Sequence, residues 1–272
     1  MSSFIEKLRT RWRDADTLLC VGLDPDPAKF PAHLAEDPDR LFRFCREIAD
    51  ATAQFACAFK PQIAYFAAHA GGEDALARLI AHIHEHHPRI PVILDAKRGD
   101  IGSTAEQYVA EAFVRFNADA VTLNPYMGRD SAAPFLAHAK RGCIFLCHTS
   151  NPGARDFQEL VVDGEPLYQR VARTIASEWN DSGNCALVLG ATFPEELRVI
   201  RGIVGEMPLL VPGVGAQGGD VGAVVRHGRT TDGTGLMINS SRGILYASRG
   251  GDFSHAAAQA ARALRDEINR YR

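Results

Sequence analysis

Eight short apolar runs recur along the chain, and segments of helical period separate them. They are TLLCVGLDP at 17–25, ACAFKP at 56–61, PVILDAKRGD at 91–100 and AVTLNPYMG at 120–128, then GCIFLCHTS at 142–150, CALVLGAT at 185–192, PLLVPGVGAQGG at 208–219 and LMINSSRGI at 236–244. Most are continuously apolar rather than alternating, as strands covered on both faces should be. DRLFRFCREIADATAQ places apolar residues at 41, 44, 45, 48 and 49, one stripe of a helix. EDALARLIAHIHEHH and FSHAAAQAARALRDEINRY have the same period. Eight alternations of this kind argue for a (β/α)8 TIM barrel, with an open doubly wound sheet as the alternative. No break in composition divides the chain, so residues 1–272 are expected to form a single barrel domain.

One connection is too long for a plain barrel loop. Residues 151–171, NPGARDFQELVVDGEPLYQRV, carry a turn signal at Asp163-Gly164 and suggest a small hairpin or loop excursion.

The formal charge of −3 supplies no broad basic field, so a nucleic acid partner is not expected. The apolar runs fall well short of the ~18 residues that cross a bilayer, so no membrane partner is expected either. MSSFIEKLRTRWRDAD is charged throughout and lacks the apolar stretch of a signal peptide, which suggests a cytoplasmic protein. Six cysteines are scattered with no C-x-x-C pair, and all are expected to be reduced and mostly buried.

In a barrel, the C-terminal ends of the strands form the active face. Polar residues collect there: Asp24, Lys60, Asp95, Lys97 and Asp100, then Asn124, Thr149 and Ser150, then Gln217, Ser240, Ser241 and Arg242. Strand alternation puts Asp95 and Lys97 on one face and Ala96 on the other, with Asp100 beyond in the loop. The loops after strands seven and eight, PGVGAQGGD and NSSRGI, offer backbone N–H groups and the Arg242 fork to a phosphate.

These residues carry a resemblance. D-x-K-x-x-D-I-x-x-T at Asp95, Lys97, Asp100, Ile101 and Thr104 resembles the signature of the orotidine 5′-phosphate decarboxylases. GLDP at 22–25, FKP at 59–61, Pro212 with Gln217 and Arg242 agree with it, and the likeness runs from about residue 17 to 246. The wording LDAKRGDIGST is similar to the longer bacterial (type 2) branch.

The resemblance implies decarboxylation of orotidine 5′-phosphate to UMP and CO2 in pyrimidine biosynthesis, with no cofactor and no metal. Lys97 would protonate C6 of the pyrimidine within a charged array of Lys60, Asp95, Lys97 and Asp100. Asp24 and Lys60 would contact ribose hydroxyls, Ser150 the pyrimidine amide, and Gln217 and Arg242 the phosphate, with Pro212 at the same loop. Asp100, Ile101 and Thr104 would come from the partner subunit of a homodimer with shared sites. The chain departs from the pattern at Ser241, where a glycine commonly precedes the arginine, and in the HTSNPG surroundings of Ser150.

The same superfamily includes Mg²⁺-dependent sugar-phosphate decarboxylases and epimerases, but these carry a carboxylate where the second strand here offers Lys60. A non-catalytic nucleotide-phosphate sensor on a barrel scaffold is a further alternative. HIHEHHP (His82, His84, His86, His87) is expected to be a solvated helix face at the far end of the barrel. The glycosylation-like triplets at Asn180 and Asn239 carry no weight in a cytoplasmic chain. Arg98 has no place in this scheme and is expected to pair at the surface.

Overall fold

The computed structural model describes residues 2–214 and 219–272. Its strands are β1 (Leu19–Leu23), β2 (Ala58–Pro61), β3 (Ile93–Arg98), β4 (Ala120–Leu123), β5 (Gly142–His148), β6 (Val161–Val162), β7 (Glu165–Pro166), β8 (Cys185–Leu189), β9 (Leu209–Pro212) and β10 (Leu236–Ser240). Eight of them form one parallel sheet in the order β2-β1-β10-β9-β8-β5-β4-β3. Parallel bridges Phe59–Val92 and Gln62–Asp95 join its two edges, so the sheet is a nearly closed barrel. The (β/α)8 expectation is met, and the open doubly wound sheet is not. The eight apolar runs are the eight barrel strands, but every run except the second overshoots its strand at the C-terminal end. There the polar residues have left the ladder and belong to the loops of the mouth.

β1, β8 and β10 are buried along their whole length, inside and out. Helices supply the outer cover. Helix Arg40–Thr52 buries Leu41, Phe44, Cys45, Ile48 and Ala49, the stripe its period predicts. Phe44 stacks between Phe30 and Phe253 at 4.1 and 5.3 Å and lies 6.0 Å from the ring of Tyr246. This aromatic stack ties the first and last helical layers together and fixes Tyr246 under the mouth.

The other end is closed by helix Phe4–Asp14, started by a Ser3–Glu6 capping box. Phe4, Leu8 and Trp12 point into the core. Gly142, at the start of β5, must lack a side chain here: a Cβ would fall 2.3 Å from the Phe4 ring. All six cysteines are free and buried.

Residues 161–166 form an antiparallel hairpin, β6–β7, whose turn residues Asp163 and Gly164 both have positive φ (54° and 87°). That is the backbone a two-residue hairpin turn of this twist requires. The segment is anchored at the rim by His148, whose ring packs 4.5 Å from Tyr168 and 4.3 Å from Phe193.

Candidate active site

The centre of the mouth is Asp95, at the end of β3. Its carboxylate is buried and takes three side-chain donors: Lys60 Nζ at 2.7 Å on Oδ2, and Lys97 Nζ at 2.6 Å and Thr122 Oγ1 at 2.9 Å on Oδ1. Burial alone would push this carboxyl up. The two ammonium groups reverse that and hold it below the usual carboxylate range, so it is ionised at neutral pH. Burial likewise pulls Lys60 down, but Asp95 and Asp24 win and hold it above the ordinary lysine value. A buried carboxylate between two ammonium ions is therefore the stable state of this site.

Lys97 reaches the array by an irregular route. Leu94 pairs with Val121 and Arg98 with Leu123, so three residues of β3 lie opposite Thr122 alone. Lys97 itself has φ +49°, a left-handed backbone that costs a non-glycine residue energy. The expectation that Asp95 and Lys97 share the mouth holds, but simple alternation is not the reason. The bulge turns Lys97 into the opening, where its side chain is 46% exposed.

Next to the array lies a cavity of about 270 Å³, walled by Asp24, Lys60, Tyr65, Pro212, Asn239 and Arg242 among others. Two buried oxygens on its wall, Asp24 Oδ1 and Asn239 Oδ1, have no hydrogen-bond partner among the described residues. A buried acceptor without a donor is costly, and it marks a place where a ligand hydroxyl or N–H would be bound. The loop bearing Asp24 is clamped by Tyr246, whose hydroxyl donates to Asp24 O at 2.9 Å and accepts from Asp26 N at 2.7 Å. Gly22 of the GLDP stretch has a local cause, because a Cβ there would lie 1.9 Å from Ser241 Oγ. The serine that departs from the family pattern thus occupies the space above β1.

The other anticipated residues fall as follows. Pro212 ends β9 on the cavity wall, and exposed Arg242, which opens a short helix after the neighbouring β10, lines the same cavity. Ser150 lies half-buried past β5, against Gly190, where a Cβ would sit 2.8 Å away. Gln217 lies outside the described residues. Asp100 is not part of this chain's own array: its carboxylate accepts from Ile101 N at 2.8 Å. Ile101 and Thr104 are exposed and do not line this cavity. Arg98 makes a two-pronged pair with Glu111 (both contacts 2.9 Å) and lies over the Tyr108 ring, fastening β3 to the helical segment behind it.

Asn239, Tyr65 and Tyr246 were not anticipated as site residues. Asn239 sat in plain view in the strand-eight run. Tyr246 lies one helical turn beyond Arg242, the only hint of its proximity. The histidine tract also differs from expectation. His82 is mostly buried, and its Nε2 and that of His87 meet one oxygen of Asp50 at 2.7 and 2.8 Å.

Comparison with known proteins agrees with this geometry. Residues 17–256 match the model of the "Orotidine 5′-phosphate decarboxylase / HUMPS family". The chain is 65% identical over 269 residues to the orotidine 5′-phosphate decarboxylase of Azoarcus sp. (strain BH72), covering 99% of both chains. It is 64% identical over 270 residues to that of Dechloromonas aromatica (strain RCB), covering 99% of this chain and 100% of the relative. Among solved structures, it superposes on Leishmania donovani OMP decarboxylase with a TM-score of 0.85 at 38% identity, over 99% and 98% of the two chains. The chain belongs to the orotidine 5′-phosphate decarboxylase family.

Proposed function

We propose that this enzyme decarboxylates orotidine 5′-phosphate to UMP and CO2 in pyrimidine biosynthesis, with Lys97 delivering the proton to C6. The observation that carries the reading is the Lys60–Asp95–Lys97 array at 2.6–2.7 Å spacing beside a polar cavity. When the C6–carboxyl bond breaks, its electron pair stays on C6, where no adjacent carbonyl can delocalise it. A fixed ammonium stabilises that charge electrostatically, most strongly where water is excluded. It then transfers its proton, closing the new C6–H bond and leaving a neutral amine that solvent reprotonates. Asp95 keeps the Lys97 ammonium in place until that moment.

Arg242 would hold the substrate phosphate, far from the bond that breaks. Its binding energy still lowers the barrier by positioning the ring over Lys97. Asp24 and Lys60 would take the ribose hydroxyls, which gives the unpartnered Asp24 oxygen a donor. Ser150 would face the pyrimidine amide and Gln217 the phosphate.

The reading includes a homodimer with shared sites, formed by one barrel domain per chain. Asp100, Ile101 and Thr104 stand outside their own cavity, and Ile101, Tyr126 and Met127 leave 46–84% of their surface exposed around the β3 and β4 ends. A second copy covering this face would bring Asp100 to the neighbouring array. The chain is assigned to the longer bacterial (type 2) branch on its LDAKRGDIGST wording, and to the cytoplasm. No helix of the described residues is long and apolar enough to cross a membrane.

The reaction needs neither cofactor nor metal on this scheme, since the Lys60 ammonium occupies the place beside Asp95 where a divalent cation would be repelled. The test is an ultraviolet assay of orotidine 5′-phosphate loss with EDTA present. Undiminished turnover is expected. Activity abolished by the chelator would favour the Mg²⁺-dependent sugar-phosphate chemistry of the superfamily instead.

A further inference from the structure

Thr122 lies on β4, is 1% exposed and is not among the residues that wall the mouth cavity. Its hydroxyl nonetheless makes three contacts with an irregular segment of the barrel, the slipped end of β3. It accepts from the backbone N–H of Ala96 at 3.0 Å and of Lys97 at 2.9 Å, and donates to Asp95 Oδ1 at 2.9 Å. Those two N–H groups belong to the stretch where the β3–β4 register slips, with Asp95, Ala96 and Lys97 all facing Thr122. A regular ladder would give such N–H groups to main-chain carbonyls. Here one side-chain oxygen takes both, which is what a left-handed residue at Lys97 needs in a buried sheet. The same oxygen's proton fixes the carboxylate that Lys97 Nζ reaches at 2.6 Å. One hydroxyl therefore sets both ends of the Lys97 side chain: the backbone it starts from and the anion it ends on.

We infer that Thr122 is a positioning residue for decarboxylation, holding Lys97 in its left-handed turn and Asp95 in its rotamer so that the ammonium meets C6. This rests on the reading of Lys97 as the proton donor. It does not require Thr122 to touch substrate, and its removal should leave the ribose and phosphate contacts intact. A residue that merely stabilised the fold would alter the melting temperature and leave turnover of the folded fraction unchanged.

The experiment compares Thr122→Val, Thr122→Ser and Thr122→Cys in the full chain, with Lys97→Ala run alongside. Valine keeps the shape and removes the hydroxyl. Its kcat should fall roughly 10–100-fold, the scale of a sub-ångström misplacement of a catalytic group, while KM and the Kd for UMP stay within about threefold. Serine restores the hydroxyl and should return kcat to within about threefold of the parent. Cysteine, a weak donor and acceptor, should fall between and serves if the valine variant does not fold. Unchanged kcat in folded Thr122→Val or Thr122→Cys overturns the inference, as does a loss that serine does not repair. If Lys97→Ala turns over normally, the proton-donor reading itself fails. An inactive Lys97→Ala beside a fully active Thr122→Val fails Thr122 alone.

Discussion

Replacing Asp95 by Asn tests whether the charged array is held by the electrostatics described above. The change is nearly isosteric, so no cavity forms, and the amide oxygen can still accept from Lys60. What disappears is the charge. At 2.7 Å and an effective dielectric of about 20, the Lys60–Asp95 attraction is worth about 6 kcal/mol before desolvation is subtracted. Removing one partner of a buried pair typically costs about 3–5 kcal/mol, and the retained hydrogen bond places this case near the lower figure. A loss of about 3 kcal/mol lowers the melting temperature of a chain this size by roughly 6–12 °C. The sign of the pH dependence is more diagnostic. In the parent, the folded-state pKa of Lys60 lies above its unfolded value, so its contribution is complete below about pH 10.4 and is lost as the pH rises beyond. In Asp95→Asn, burial, the largest influence on Lys60, is opposed by Asp24 as the only remaining carboxylate and pulls that pKa below the unfolded value. The unfolded state then binds the extra proton, and stability of the variant rises with pH. The difference between parent and variant, followed by thermal unfolding, should therefore shrink from about pH 7 to pH 10. Adding Lys60→Met should recover most of the stability and none of the activity. A stability gap that stays constant or widens with pH, or a double variant no better than the single, would refute the reasoning.

Three further outcomes follow from the site geometry. Arg242→Ala should lose roughly 10–100-fold in kcat/KM, the worth of charge-assisted bonds to a phosphate, with its melting temperature unchanged; near-normal kinetics would remove the phosphate assignment. Tyr246→Phe loses the hydroxyl clamp on Asp24 O and Asp26 N, so stability should drop by about 1–2 kcal/mol and KM should rise more than kcat falls. Mixing inactive Lys97→Ala with inactive Asp100→Asn should regain about one quarter of parental activity, because each mixed dimer rebuilds one intact site; a mixture as inactive as its parts would contradict the shared site.

The barrel was legible because its strands are covered on both faces and so appear as unbroken apolar runs. Their limits were misplaced most at the C-terminal ends, since the residues at Asp24 or Ser150 continue the run in sequence while leaving the sheet in space. Asp95, Lys60 and Lys97 were legible because charges at the ends of buried strands demand a use. The bulge beneath them was not. Period-two alternation is the only rule a sequence offers for a strand, and the left-handed turn at Lys97 breaks it with no glycine or proline as a marker. Thr122 was hidden for a related reason: a β-branched residue in a strand needs no explanation until its hydroxyl is seen to take two backbone donors. Tyr246 and Asn239 were hidden because their roles depend on loops more than two hundred residues away. Arg98 looked like surface pairing, and its Glu111 partner lies thirteen residues on, across the turn into the next helical layer.

The central claim is that the ammonium of Lys97 serves decarboxylation and not the fold. Its side chain is half-exposed, so Lys97→Ala should fold normally and bind UMP within a few-fold of the parent. The decisive measurement is single-turnover loss of orotidine 5′-phosphate by that variant at saturating enzyme, followed in the ultraviolet. The account predicts no detectable decarboxylation; turnover within tenfold of the parent would contradict it.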